Sequence, residues 1–156
     1  MTGLAGLLRT GVLGVAAPGV HYRDVVAQWG EPEAFAARSP DPVYCLYGDL
    51  ELGFTAKGRL WHLQIEPGDR VASLPSAPGQ YVREPVPEIS RLVAELAADG
   101  FQVTRCAPFD PEDDLWHRVD RSGVLFRRDA PDGPTRIHST AKEICDADHE
   151  DAPRYV

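Results

Sequence analysis

Two short stretches decide the fold, namely Leu50-Glu51-Leu52-Gly53-Phe54 and Leu60-Trp61-His62-Leu63-Gln64-Ile65. In each stretch apolar residues alternate with polar or small ones, which is the period of a β-strand with one buried face. Gly58 lies between them and is free to adopt the positive φ of a tight turn. The sequence therefore predicts a hairpin or meander that ends at Pro67-Gly68.

Residues before this meander predict one more strand, over 43–47, and two helices. Tyr22, Val25, Val26 and Trp29 recur at helical spacing, so a helix is expected over 20–29, with Gly30 as its stop. The segment 34–42 is predicted to be a loop. The apolar stretch 4–15 also has helical spacing. Because Arg9 interrupts it and no basic residue precedes it, we expect a short amphipathic helix and no signal peptide.

The segment 67–87 separates this region from a second one of similar order. It contains five prolines, a density that favours a connector without regular structure. The stripe of Ile89, Leu92, Val93, Leu96 and Ala97 predicts a helix over 88–99 that ends at Gly100. Strands are then expected over 101–106, 115–119, 123–127 and 135–139, with a turn at 129–133.

The predicted fold class is α+β, with two similar helix-plus-antiparallel-meander units and the helices packed on one face of the sheet. The first unit spans 1–68, the Pro-rich connector 69–87, the second unit 88–142 and an acidic tail 143–156. The stretch 47–54 in the first unit parallels 121–126 in the second. This likeness predicts an internal duplication.

Composition narrows the classes of partner. The chain has 156 residues, with 16 basic and 24 acidic side chains and a net charge of −8. An acidic excess argues against binding to nucleic acid or to an anionic membrane surface, and leaves a basic protein partner open. No stretch approaches the roughly 20 apolar residues of a membrane span. Three widely spaced cysteines predict reduced thiols and a cytoplasmic location.

The predicted partner-binding residues are four carboxylates and two tryptophans. Asp110, Glu112, Asp113 and Asp114 form an acidic loop that could cover a basic surface, and Trp61 and Trp116 could anchor an interface. The loop does not have the ligand spacing of a calcium-binding loop. Cys145 and His149 are a single pair with no second pair at zinc-ligand spacing. No metal and no cofactor is therefore predicted.

Catalytic motifs are weak, so the sequence favours a binding protein over an enzyme. Ser122 and Ser139 lack the G-x-S-x-G pattern of a nucleophile elbow. The main alternative is a small-molecule-binding or enzymatic α+β domain, with a pocket between sheet and helices lined by Trp61, His62, Trp116 and His117. A Cys–His dyad that uses His117 or His138, and a subunit that dimerises through the sheet, also stay open.

The stretch from Gly11 to Pro32, followed by Tyr47-Gly48-Asp49-Leu50-Glu51-Leu52 and Gly58-Arg59-Leu60, resembles a family. It is similar to small actinobacterial immunity-protein-like proteins, which are found beside polymorphic toxins. The resemblance covers about residues 11–66, and its motifs are structural. It implies a non-enzymatic, acidic protein-binding domain that neutralises a toxin, and it transfers no functional residue.

Overall fold

The computed structural model describes residues 3–37, 42–128 and 135–149. The helices in this part of the chain are α1 (Gly3–Thr10), α2 (Tyr22–Trp29), α3 (Ile89–Ala98) and α4 (Lys142–Asp148). The strands are β1 (Ala34–Ala37), β2 (Pro42–Tyr47), β3 (Leu50–Phe54), β4 (Leu60–Ile65), β5 (Val71–Ala77), β6 (Gln80–Pro85), β7 (Val103–Cys106), β8 (Trp116–Val119), β9 (Leu125–Arg128) and β10 (Thr135–Thr140). The predicted α+β class is confirmed.

Eight strands form one antiparallel sheet with the order β1-β2-β3-β4-β10-β9-β8-β7. β1 to β4 are one meander and β7 to β10 are a second. The two meanders meet at their last strands, where Ile65 of β4 lies opposite Ile137 of β10. Both isoleucines are fully buried. The junction between the meanders is therefore part of the core.

One side of this sheet, which we call the covered face, carries the core. Its buried side chains are Cys45, Tyr47, Leu50, Leu52, Leu63, Ile65, Phe126 and Ile137. The helices α1, α2 and α3 pack in the same hydrophobic cluster through the apolar stripes that the sequence predicts, for example through Leu7, Val25 and Leu92. Helix α4 follows β10 and contacts β4.

The order of elements is the same on both sides of the junction. A helix and then four strands precede it in each half of the chain, as α2 with β1 to β4 and α3 with β7 to β10. Both halves contribute to one sheet and one core. Element order alone does not establish common descent, so the internal duplication stays a prediction.

The stretch Tyr47-Gly48-Asp49 holds the covering elements on the sheet. The hydroxyl of Tyr47 donates a hydrogen bond to the carbonyl oxygen of Gly30, at 2.7 Å, where α2 ends. The N–H of Asp49 donates to the carbonyl of Ser73 on β5 at 2.9 Å, and its carboxylate accepts from the N–H of Ser73 at 2.7 Å. The stretch that carries the family resemblance therefore contains residues that attach α2 and β5 to the sheet.

The prediction that the segment 67–87 has no regular structure is wrong, because β5 and β6 form an antiparallel hairpin within it. The prolines occupy positions that a hairpin tolerates. Pro75 lies at a register shift, and Pro85 ends β6. Pro78 and Gly79 form the turn, where Gly79 has φ of 69°, as a Pro-Gly turn requires.

The predicted loop over 34–42 is also wrong in part. Residues 34–37 form β1, which pairs with β2 at the edge of the sheet. The side chains of Ala34, Phe35 and Ala36 are all exposed. An edge strand exposed on both faces has no alternation of apolar and polar residues, so the sequence carries no signal for it.

The first part of the predicted acidic tail forms α4, which is docked on the rest of the fold. Asp148 is buried, and both its carboxylate oxygens accept hydrogen bonds from the Arg59 guanidinium, at 2.7 and 2.8 Å. The hydroxyl of Thr55 donates to the same carboxylate at 2.5 Å. These bonds lower the pKa of Asp148. Residues 150–156 and the predicted turn at 129–133 lie outside the described residues.

Gly48→Ala is expected to destabilise the protein. Gly48 has φ of 60°, and an added Cβ would lie 2.6 Å from the carbonyl oxygen of Ser73. Strain and overpacking together should lower the free energy of unfolding by about 2 kcal/mol or more, as measured by urea denaturation. Gly68→Ala is the matched control because no atom lies near its Cβ position. Equal stability of the two variants would contradict the role given to Gly48.

Asp148→Asn is expected to loosen α4. The amide cannot accept the two charge-assisted bonds of Arg59, so hydrogen exchange of the α4 amides should accelerate by about tenfold or more. Asp146→Asn on the same helix is the control, since Asp146 forms an exposed pair with Lys142 and should change exchange little. Unchanged protection in Asp148→Asn would show that this contact does not dock α4.

Candidate functional site

The side of the sheet opposite the core, which we call the open face, carries a cluster of aromatic and imidazole rings. Strand register places two rows of side chains there. One row is Leu46, Glu51, Gln64 and His138, and the next is Tyr44, Gly53, His62 and Thr140. Tyr44 and Leu46 are exposed at 37% and 41%. Large apolar side chains that a folded protein leaves in water in this way mark candidate contact surfaces.

His62 lies at the centre of the first half of the open face. Its Nε2 is 3.4 Å from a carboxylate oxygen of Glu51, and its ring centroid is 6.0 Å from that of Tyr44 in an edge-on arrangement. Both rings close over Gly53, where a Cβ would lie 2.9 Å from Tyr44 Cε1 and 3.0 Å from His62 Cβ. Burial lowers the pKa of His62, against the opposing effect of Glu51.

His138 continues the cluster from β10. Its ring meets that of His62 edge-on at 4.8 Å, and Phe109 stacks on it at 5.0 Å. Its Nε2 is 2.6 Å from the hydroxyl oxygen of Thr140. Burial, followed by the neighbouring charges of His62 and Arg136, lowers the pKa of His138 to about 4. The ring is therefore neutral at pH 7.

The predicted acidic loop folds back on the open face in the second half of the sheet. Asp113 forms an ion pair with Arg127 of the open face at 3.1 Å, whereas Asp114 lies 3.6 Å from Arg105 of the edge strand β7, on the side of His117. Asp110 accepts a hydrogen bond from the backbone N–H of Glu112 at 3.0 Å. Two of the four carboxylates are thus engaged with arginines of this chain. Asp110 and Glu112 are exposed at the rim.

The two predicted tryptophans differ in exposure. Trp61 is the extra residue at the register shift between β3 and β4 and is half-buried beside His62, with ring centroids 5.6 Å apart. Trp116 is buried, and Phe109 packs edge-on against it at 5.2 Å. Phe109 is 57% exposed, so the side chain that a partner would meet at this point is Phe109.

The pocket proposed by the alternative hypothesis does not gather its four residues. His117 points to the covered face, where it stacks on Phe126 at 5.3 Å, whereas Trp116 lies on the open face. A cleft beside Trp61 and His62 has a volume of about 10 Å³. This volume is close to the minimum for one water molecule, so that cleft does not hold an organic ligand.

Nucleophilic and metal chemistry finds little support in the described residues. Cys45 is fully buried, and burial raises the pKa of its thiol to about 12. Burial also raises the pKa of Cys145. Thiols in this state react poorly, because the thiolate is the nucleophile. Within the described ranges no three His, Cys, Asp or Glu side chains converge on a point that could hold a metal ion.

Sequence reasoning missed Glu51, Phe109 and the central position of His138. Polar residues alternate along β3 and β4, and that signal does place Glu51 and His62 on one face. The contact between His62 and His138 depends on the pairing of β4 with β10, which no local pattern encodes. The site was therefore predictable within each meander but not across the junction.

Acid is expected to weaken the fold through His138. Its pKa is about 4 in the folded protein and about 6.5 in an unfolded chain. The unfolded state therefore binds more protons between these values, and the free energy of unfolding should fall as the pH drops from 6.5 to 4. Since the ring is partly exposed and screened by water, we expect about 1–2 kcal/mol, measured by urea denaturation at pH 7 and 4.5.

His138→Gln is expected to reduce this acid-induced loss of stability, because glutamine does not titrate. An NMR titration of the His138 ring protons gives its pKa directly. A midpoint near 6.5 would contradict the burial of this ring beneath Phe109.

Comparison with known proteins assigns no family to this chain. Comparisons of the chain with protein-family models, with curated proteins and with solved structures found no match. Among the described residues no helix has both the length and the apolar character needed to cross a bilayer. The resemblance to immunity-protein-like proteins therefore stays a prediction.

Proposed function

We propose that this protein is a non-enzymatic binding domain that receives a basic protein partner on the open face of its sheet. One observation carries the proposal. The acidic loop and the exposed rings share that face, since Asp113 pairs with Arg127 there while Phe109 stacks on His138. An apolar centre with a charged rim is the usual anatomy of a protein interface.

The charge of the chain supports a basic partner. The net charge is −8, and Asp110 and Glu112 are exposed beside Phe109. Opposite charges on two partners raise the rate of association and make it sensitive to salt. The finer proposal is an immunity factor whose partner is a toxin with a basic active surface. The three cysteines are free thiols, which suits a cytoplasmic location for this role.

A small-molecule-binding or enzymatic domain is the second candidate. Two pairs favour it, Glu51 with His62 and His138 with Thr140, because a neutral imidazole next to a carboxylate or a hydroxyl is an element of general base catalysis. It ranks below the first candidate, since a base with a pKa of about 4 has little driving force for proton abstraction at pH 7.

The test uses a partner captured from the host by the tagged protein, then purified and titrated calorimetrically. Glu112→Lys should weaken binding by about tenfold, and raising the salt concentration should weaken the wild-type complex. Glu95→Lys is the matched control, because it makes the same change of charge on the exposed side of α3 and should change affinity little.

Equal affinity of the two variants would show that the acidic loop does not receive the partner. The proposed immunity role is tested separately, by growth. The captured partner should inhibit growth when expressed alone, and co-expression of the wild-type chain should restore growth. A partner that is harmless to the cell would overturn the immunity role and leave the binding role standing.

A further inference from the structure

The first half of the open face contains a carboxylate and a phenol ring that are held side by side. Glu51 lies opposite Leu46, and Tyr44 lies opposite Gly53, so Tyr44 and Glu51 are diagonal neighbours across β2 and β3. Such neighbours are about 7–8 Å apart at the backbone, within reach of long side chains. Burial raises the pKa of Tyr44, and the negative charge of the nearby Glu51 raises it further.

Both groups are accessible, and the Tyr44 ring is held in place. The side chain of Glu51 is 37% exposed, and its contact is with His62 at 3.4 Å. Tyr44 is 37% exposed. Its ring is fixed over Gly53, because the backbone there leaves no room for a Cβ between Tyr44 and His62. A ring that is already ordered loses little entropy when a ligand stacks on it.

In the described part of the chain, no Lys or Arg forms an ion pair with the Glu51 carboxylate, whose partner is His62. Burial lowers the pKa of His62, which disfavours the protonated imidazole that could balance the charge of Glu51. Two other carboxylates of the open face do have arginine partners, since Asp113 pairs with Arg127 and Glu66 with Arg136. Glu51 thus combines an exposed negative charge, an adjacent π face and the exposed apolar side chain of Leu46.

We propose that Tyr44 and Glu51 form a subsite for an arginine side chain of the partner, with the guanidinium stacked on the Tyr44 ring and paired with the Glu51 carboxylate. A planar guanidinium matches both surfaces, since it binds carboxylates through two parallel N–H donors and stacks on aromatic faces. Leu46 contacts the methylene stem of the same side chain. The inference rests on the proposed function and names the group of the basic partner that is recognised.

The probe is a hexa-arginine peptide at low salt, titrated into protein with isotope-labelled tyrosine and histidine and followed by NMR. The ring signals of Tyr44 and His62 should shift on binding. Glu51→Gln should weaken binding of the peptide by about fivefold. Glu95→Gln, which removes the same charge from α3, should weaken binding less than about twofold. The amide spectrum of each variant confirms that it is folded.

A second pair of variants separates stacking from charge. Tyr44→Leu should weaken binding of the peptide by about threefold. Tyr44→Phe keeps a π face and should bind the peptide nearly as tightly as the wild type. Equal effects of Glu51→Gln and Glu95→Gln, or the absence of shifts at Tyr44, would overturn the subsite. This result is distinct from failure of the proposed function, which is read from Glu112→Lys and the captured partner.

Discussion

The antiparallel pairing of β4 with β10 is the constraint on which the rest of the structure depends. Ile65 lies opposite Ile137 and Leu63 opposite Ser139, so the last strands of the two meanders form the centre of one sheet. This pairing makes a single core from both halves of the chain. It also brings His62 and His138 into contact on the other side of the sheet. The core and the candidate binding surface therefore both depend on the pairing of β4 with β10.

Local pattern predicted most elements and few of their long-range contacts. The apolar stripes of α2 and α3 and the alternation in β3 and β4 were sufficient to predict these four elements, because each element buries one face against the core. The strand β1 carries no such alternation, and the prolines of β5 and β6 concealed a hairpin by occupying its turn, its bulge and its end. Docking of α4 depends on Arg59, which is remote in sequence from Asp148, and the contact of Phe109 with His138 is equally non-local.

The motif that suggests a family resemblance has an architectural explanation. Tyr47 bonds the end of α2, Gly48 allows the backbone of β5 to approach, and Asp49 pairs with Ser73. A protein that shares these residues would share the attachment of a helix and a hairpin to the sheet. The residues that face outwards, such as Tyr44 and Glu51, alternate with buried residues along the same strands and can vary without disturbing these attachments.

The carboxylate of Glu84 on β6 accepts hydrogen bonds from the first backbone N–H groups of α1, at 2.6 Å from Gly3 and 3.3 Å from Leu4. A helix of this length is marginal by itself in water. During synthesis on the ribosome α1 emerges before β6, so the residue that caps α1 is translated only after the helix itself. Helix α1 therefore lacks its cap until β6 has been made, and until then its leucines are available to the chaperones that attend nascent chains.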